Sequence, residues 1–433
     1  LLLSKEVEKW MKVDNLVLGA GISGLAYAHE KVNSGKITVV FEAESYYGGL
    51  CHSFEVDEFR FDSAIHLSFT NNPEARKLFD KTPYCQHKPI SYNYYHGLWL
   101  KHPVLNNLFP MDVKDKVDCI QSFINRKEYK EIKNYGEWLR ASYGDVIAEK
   151  FYYVYTRKYW AAEPEEMSTT WIGNRLNIPD LESMLYGSFT GDTGNYYYAQ
   201  EMRYPNEGGY KAFLIPLLEG VKIEYNKRAT AVDIDEKYVE FSDGTCCYFN
   251  KLISSIPLPE LVRITKNLPN EIYNKVNQLE ASKISLVSIG FNKPNIPKYL
   301  WMYIYDEDIL AARINSPSLK SINNVPKGCS SMQFEIYHRP NLLIDKNVIL
   351  ENTKNALLAM HICTENDIAV CDYKLLPYGN VIHKIGMEQN RDIIKSYFVD
   401  KDIELIGRFG EWEYFWSDQS YMSGVKKAHG IYE

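Results

Sequence analysis

The chain has 433 residues, 45% apolar and 24% charged side chains, ordinary proportions for a globular protein. Its length exceeds the usual size of a single core, so two domains are expected. The net charge of −7 argues against a nucleic-acid binder, which would show a basic face, and leaves open a small anionic substrate held by local Arg and Lys.

Residues 1–10 (LLLSKEVEKW) are too short and too acidic for a signal peptide. Met11 would make a natural start, so the residues before it read as a remnant outside the fold. Residues 13–18 (VDNLVL) read as a short buried strand. Gly19-Ala20-Gly21-Ile22-Ser23-Gly24 comes next, then a helical stretch to about Asn33 and a second strand, Ile37 to Phe41, ending at Glu42. This is G-x-G-x-x-G with strand before, helix after and an acid at the next strand's end, the pattern of dinucleotide binding. Gly19 allows the tight turn, Gly21 lets the backbone approach a pyrophosphate, and Gly24 lets helix and sheet pack closely. The helix N-terminus, with Ser23 in its first turn, offers N–H groups and a positive dipole end to the phosphates. Glu42 is suited to accept hydrogen bonds from ribose hydroxyls.

Glu42 is followed by Ala43-Glu44-Ser45-Tyr46-Tyr47-Gly48-Gly49-Leu50. This E-x(5)-G-G stretch resembles the flavin-dependent amine oxidase, protoporphyrinogen oxidase and UDP-galactopyranose mutase group, where the glycine pair passes close to the cofactor. FAD is therefore the expected cofactor. In the mutases a histidine at the place of His66, in Asp62-Ser63-Ala64-Ile65-His66, lies near the flavin. The implied fold class is α/β: a Rossmann-like FAD-binding domain with an interleaved α+β substrate domain made of a helical part and an antiparallel sheet.

Tyr92 to Leu100 reads as a hairpin closed by His102-Pro103. From Met111 to Trp160 the pattern is helical. Trp138, Leu139, Tyr143, Val146, Ile147, Phe151, Val154 and Tyr155 recur on one amphipathic face, mostly as core. Segments 176–196 and 203–210 carry Pro and Gly punctuation. Residues 221–256 read as strands with an Asp243-Gly244 turn. They resemble the group's second excursion through the nucleotide domain, where a valine, here Val232, sits by the adenine. Ile284 to Phe291 alternates like a half-buried strand. Residues 404–410 return to the cofactor domain. The expected division is 12–75, 205–275 and 375–433 for the FAD-binding domain, and 76–204 and 276–374 for the substrate domain.

Several blocks resemble the UDP-galactopyranose mutases in order over nearly the whole chain. Tyr155-Thr156-Arg157-Lys158-Tyr159-Trp160, with Pro164 beyond, is similar to the block whose Trp packs against the substrate near the flavin. Glu207-Gly208-Gly209-Tyr210 resembles the glycine turn beneath the cofactor. Ala312-Arg313-Ile314 resembles the strand with a pyrophosphate-binding arginine, Glu335 the glutamate that follows it, and Pro377-Tyr378 a substrate-tyrosine region. Gly407-Arg408-Phe409-Gly410 with Tyr414 and Asp418 is the nearest match. There the arginine approaches the flavin, the tyrosine reaches the substrate diphosphate, and the helix N-terminus faces the ribityl chain. The chain also departs from the pattern. The family's R-L-P-V-R stretch is here Asn174-Arg175-Leu176-Asn177-Ile178-Pro179, with one arginine kept and the second absent. Its G-P-H-x-F-H-T loop is here Ser63 to Thr70.

The resemblance implies a nucleotide-sugar substrate such as a UDP-sugar, reduced-flavin N5 attacking the anomeric carbon as UDP leaves, and a place in cell-surface polysaccharide synthesis. His66, Arg313, Tyr378 and Tyr414 are then the catalytic candidates, with Trp160, Tyr155, Arg175 and Glu335 binding substrate. Arg suits the departing diphosphate because its planar fork binds phosphate oxygens in pairs. Two alternatives stay open: an FAD-dependent oxidoreductase of amine oxidase or protoporphyrinogen oxidase type, and a flavin-binding scaffold without turnover. The missing arginine favours the first alternative over a strict mutase. An external reductant or electron acceptor, and a homo-oligomer, fit either enzyme reading.

Eight cysteines include no C-x-x-C pair, so neither a metal site nor a disulfide framework is expected and a reducing cytoplasm is the default. No run approaches about 18 apolar residues. Tyrosine stands out, at 34 residues, for which an AT-rich codon bias and a site lined by phenols are equal explanations.

Overall fold

Two seven-stranded sheets organise the chain. The computed structural model describes residues 10–431 except 174, 197 and 198, so residues 1–9 and Asn174 lie outside the described residues. The first strand, β1 (Trp10–Leu18), starts earlier than expected: Trp10 and Met11 pair with Cys246 and Cys247, and so belong to the sheet. Val13, Leu16, Val17 and Leu18 are buried on both faces, as a central parallel strand requires. Helix α1 (Ile22–Asn33) turns back over β1 and leads to β2 (Thr38–Phe41). The order across this sheet is Ala229–Asp233, Tyr238–Phe241, Cys246–Ser254, β1, β2 and Lys222–Glu224, with Ile403–Leu405 also paired to Cys246–Ser254. Its parallel strands come from three distant stretches of chain, and a ligand crevice is expected outside their carboxyl ends.

The second sheet runs Ile368–Leu376, Lys283–Phe291, Ser330–His338, Arg313–Asn315, Trp301–Ile304, Tyr92–Tyr95 and Leu98–Lys101. It is antiparallel except where Trp301–Ile304 lies parallel to Tyr92–Tyr95. The expected hairpin is present, turning through His96 and Gly97, both at positive φ. Lys283–Phe291 differs from expectation: everything after Lys283 is buried, because both its edges are paired and both its faces lie in core clusters. The Ser and Gly positions expected to face solvent are therefore interior.

The stretch expected to be helical, 111–160, is helical in separate pieces. Val113–Ile124, capped by Asp112, buries Cys119 and Phe123. Tyr135–Tyr143, capped by Asn134, stops at Gly144, where φ is 84° and a side chain would overlap the Ser122 carbonyl. The chain continues through Asp145–Ile147, a π-helical turn at Ala148–Tyr153, and Val154–Trp160. Leu139, Tyr143, Ile147 and Phe151 are core, as expected. Within and after the widened turn, Tyr152, Tyr155, Tyr159 and Trp160 face the interior cavity. Among the described residues no helix is long and apolar enough to cross a membrane.

Candidate functional site

One cavity of about 1350 Å³ is walled by both sheets and by the helix Val154–Trp160. That exceeds the ~300–1,000 Å³ of an ordinary ligand pocket, leaving room for a large cofactor and a second ligand.

One end is built from backbone. Gly19, Gly21 and Ser23 line it, and no side chain caps α1, so the first-turn amides and the positive dipole end face the cavity. A Cβ at Gly21 would stand in open space, whereas one at Gly24 would overlap the Gly19 carbonyl oxygen. Gly24 thus sets how closely α1 meets β1, without itself lining the cavity. Glu42 accepts from the amides of Ala20 (2.7 Å) and Glu44 (2.9 Å) while still lining the cavity. Burial pushes its pKa up, and the amide hydrogen bonds oppose the shift. Gly48 donates to the Ala20 carbonyl at 2.8 Å and bridges Gly21, which brings Gly49 and Leu50 to the wall. The closing helix Ser417–Ala428 lies along α1, so closely that a Cβ on Gly424 would overlap the Ser23 carbonyl. It presents Asp418 to the same space. The set of bare amides, a fixed acid and room at Gly21 fits a dinucleotide.

Val232 is a correction. It is fully buried among Val239, Leu258 and Leu261, and Ala229 and Thr230 line the cavity in its place. A register shift between Ala229 and Ala231 turns the strand so that the later valine faces the core.

The other end is built from side chains. Arg313 donates from Nε to Glu335 Oε2 at 2.6 Å and from Nη2 to the Tyr337 hydroxyl at 2.8 Å, with the rings of Tyr159 and Trp301 beside it. Glu335, expected to meet substrate, is 0% exposed and off the cavity wall. It holds Arg313, and its other oxygen accepts from the Ile65 amide at 2.8 Å, fixing the loop that carries His66. The Tyr414 hydroxyl meets the Tyr159 hydroxyl at 2.7 Å. Two guanidinium groups lie over the Tyr414 ring, Arg408 at 4.7 Å and Arg175 at 4.9 Å. Arg175 donates to the carbonyls of Trp171 and Tyr414, both at 2.8 Å. Arg408 donates to the Phe415 carbonyl (2.7 Å) and Asn380 Oδ1 (2.9 Å), and no carboxylate among the described residues pairs with it. Trp160 packs 4.8 Å from Tyr414, and Tyr155 stacks on Tyr159.

His66 sits between the two ends, its ring stacked on Tyr210. Its Nδ1–H donates to the Ala64 carbonyl at 2.9 Å, leaving Nε2 as an acceptor. Burial holds its pKa down at about 4, so the ring is neutral at ordinary pH. Tyr378 is placed differently from the Tyr414 cluster. It borders the cavity, but its hydroxyl donates to Glu260 and its ring packs on Phe409 and Trp412, outside the Tyr414 cluster. From the same segment it is Asn380 that enters the cluster, joining Arg408 to the Tyr159 carbonyl (3.0 Å). Sequence reasoning misses Asn380, Tyr159, Tyr303, Tyr337 and Trp171 as site residues. Tyr159 lies within the mutase-like block 155–160, which could have pointed to it; the others carry no local signal.

A model of the NAD(P)-binding Rossmann-like domain matches residues 17–82. The structure of a reduced UDP-galactopyranose mutase superposes with a TM-score of 0.91 over 97% of this chain and 95% of that one, at 24% identity. Cyclohexylamine oxidase from Brevibacterium oxydans IH-35A gives 0.68 over 97% and 98%, at 14% identity. The fold is thus one shared by the mutase and by amine oxidases. All-trans-retinol 13,14-reductase of Rattus norvegicus is 42% identical over 55 residues, which is 13% of this chain and 9% of that protein.

Proposed function

We propose that the protein is an FAD-dependent enzyme of UDP-galactopyranose mutase type, acting on a nucleotide sugar in cytoplasmic synthesis of cell-surface polysaccharide. The observation that supports this reading is the pair of guanidinium groups, Arg175 and Arg408, within 5 Å of the Tyr414 ring on a cavity wall, with Arg408 uncompensated by a carboxylate among the described residues. A diphosphate diester is a dianion whose oxygens match paired guanidinium forks. A buried site with an uncompensated cation favours such an anion over a neutral ligand. The proposed cofactor domain is 12–75, 205–275 and 375–433, extended at its start by the sheet residues Trp10 and Met11, and the proposed substrate domain is 76–204 and 276–374.

When bound, reduced flavin supplies a nucleophile to the anomeric carbon. The chain's own residues do the rest. The α1 amides and Glu42 hold the cofactor's diphosphate and ribose. Arg175 and Arg408 take the substrate diphosphate, and Arg313, held by Glu335, steadies Tyr337 and Tyr159 beside it. The Tyr159 and Tyr414 hydroxyls share one hydrogen bond, so either can donate to a phosphate oxygen while accepting from the other. Trp160 and Tyr155 exclude water from that face.

Purified protein should be yellow, and UDP should perturb the flavin spectrum or quench tryptophan fluorescence. Turnover of a UDP-sugar should need prior reduction with no net electron change. Bleaching of the oxidised flavin by a small amine or acid substrate, with no response to UDP, would replace this reading by the oxidoreductase one. The single arginine of the 175–179 stretch, beside an Arg313 already neutralised by Glu335, favours that second reading.

A further inference from the structure

We infer that Glu388, backed by His383, is a positioning residue for the cavity-wall segment that carries Trp171 and Arg175. The inference rests on the nucleotide-sugar reading only for its ligand-binding readout.

Glu388 lies in the first turn of the helix Met387–Asp400, outside the cavity. One of its oxygens, Oε1, gathers three groups. Ser168 Oγ donates to it at 2.8 Å, Thr170 Oγ1 donates to it more closely, and His383 Nδ1 stands 3.5 Å away. Burial pushes the carboxylate's pKa up, and His383, Thr170 and Ser168 outweigh that to hold it at about 2, so it stays ionised. The backbone repeats the link: the Ser168 amide donates to the His383 carbonyl at 2.8 Å, the Ile385 amide donates to the Glu166 carbonyl at 3.0 Å, and Met167 bridges Lys384.

The residues just beyond Thr170 give this anchor its consequence. Trp171 packs against Trp160 at 4.6 Å and edge-on to Tyr135 and Tyr414. The carbonyl of Trp171 accepts Arg175 Nη1 at 2.8 Å. Fixing the main chain at 168–170 therefore fixes both an aromatic wall residue and the guanidinium over Tyr414. His383 works from behind the same wall: it is 2% exposed, and its ring meets Trp160 and Tyr414 nearly at right angles. Among the described residues neither ring nitrogen makes a hydrogen bond, and the ring is held by its 3.5 Å approach to Glu388 and by the aromatic edges. Helix, histidine and carboxylate hold the wall segment as supporting groups hold a preorganised site, through the atoms behind those that touch ligand.

The test uses the full-length, FAD-loaded protein and UDP as the probe. Glu388→Leu removes the acceptor, Glu388→Gln keeps Oε1 as an acceptor for both hydroxyls, and the double variant Ser168→Ala/Thr170→Val removes the donors while sparing Glu388. Amide exchange is followed in peptides covering 168–173, and UDP affinity by tryptophan quenching. Glu388→Leu and the double variant should speed exchange in that segment alone and weaken UDP roughly tenfold, as loss of two hydrogen bonds would. Glu388→Gln should restore both readouts to within about threefold. Unchanged exchange at 168–173 in Glu388→Leu and in the double variant overturns the inference, as does a Gln variant no better than the Leu one. If the unsubstituted protein ignores UDP, the nucleotide-sugar reading fails, and the exchange data alone decide the positioning role.

Discussion

The two ends of the cavity are built on opposite principles. At the end lined by Gly19 and Gly21 the ligand-facing groups are main-chain amides, supplied by some 30 consecutive residues in one strand–turn–helix–strand unit. At the Tyr414 end they are side chains: Trp160 and Arg175 from the helical region, Arg313 and Tyr337 from the second sheet, and Arg408 and Tyr414 from the closing stretch. A backbone site tolerates most side-chain changes and fails when the chain's path changes. A side-chain site fails residue by residue, and each removal leaves a partner behind.

The sharpest break of that contrast is Gly24→Val. The added side chain would overlap a main-chain oxygen of Gly19, which cannot move aside, so α1 must lift from β1. Cofactor loading should be lost altogether, read as absorbance of bound flavin in the purified protein. A variant that stays yellow at full stoichiometry would show that close helix–strand contact is not what builds this end.

Second in size is Arg313→Ala. Its partner Glu335 is fully buried, so removing the arginine strands a carboxylate in the interior at a cost of about 3–5 kcal/mol of stability. The double variant Arg313→Ala/Glu335→Gln strands no charge and should recover most of the loss. Urea unfolding measures both. A single variant within about 1 kcal/mol of the parent would mean Glu335 is solvated or paired elsewhere. Any loss of UDP binding in Arg313→Ala alone therefore mixes two effects, and the double variant is the cleaner probe of the site.

Arg408→Met comes third. Arg408 leaves no buried carboxylate behind, only the neutral acceptors Phe415 O and Asn380 Oδ1, so the fold should hold. UDP affinity should drop roughly 10- to 100-fold, the range for a lost charge-assisted hydrogen bond. Unchanged affinity by fluorescence titration would remove Arg408 from the substrate side and restore it to the cofactor alone.

The same contrast explains what can be read from sequence. Gly19, Gly21, Gly24 and Glu42 are legible because their chemistry depends on neighbours along the chain, and glycine spacing records it directly. Arg313, Trp160 and Tyr414 are found only by resemblance, since nothing local distinguishes an arginine over a tyrosine from one on the surface. Asn380 and Trp171 escape both routes: their role exists only once the 380s, the 160s and Arg408 meet in space. Val232 fails by strand geometry, because one shift in register exchanges the inward and outward faces. The helical pattern through 111–160 is realised in pieces: it breaks at Gly144, where a close contact with Ser122 overrides a good apolar period, and widens at the π-turn.

The smallest expected effect tests the boundary between the two ends. Tyr378 resembles a substrate tyrosine in sequence, yet its hydroxyl is bound to Glu260, and burial together with that carboxylate raises its pKa further above the usual phenol value. A phenol so engaged has no proton to offer a phosphate without first breaking the Glu260 bond. Tyr378→Phe removes one hydrogen bond to a carboxylate that is 42% exposed and also paired with Arg263, so water and Arg263 take up the acceptor. Stability should fall by about 1 kcal/mol or less, with the ring's packing on Phe409 and Trp412 retained. UDP affinity should stay within about twofold of the parent. A tenfold loss in Tyr378→Phe, with Tyr414→Phe silent, would move the substrate's diphosphate from the Tyr414 cluster toward the Glu260 side. The boundary between the main-chain end and the side-chain end would then run through Tyr378.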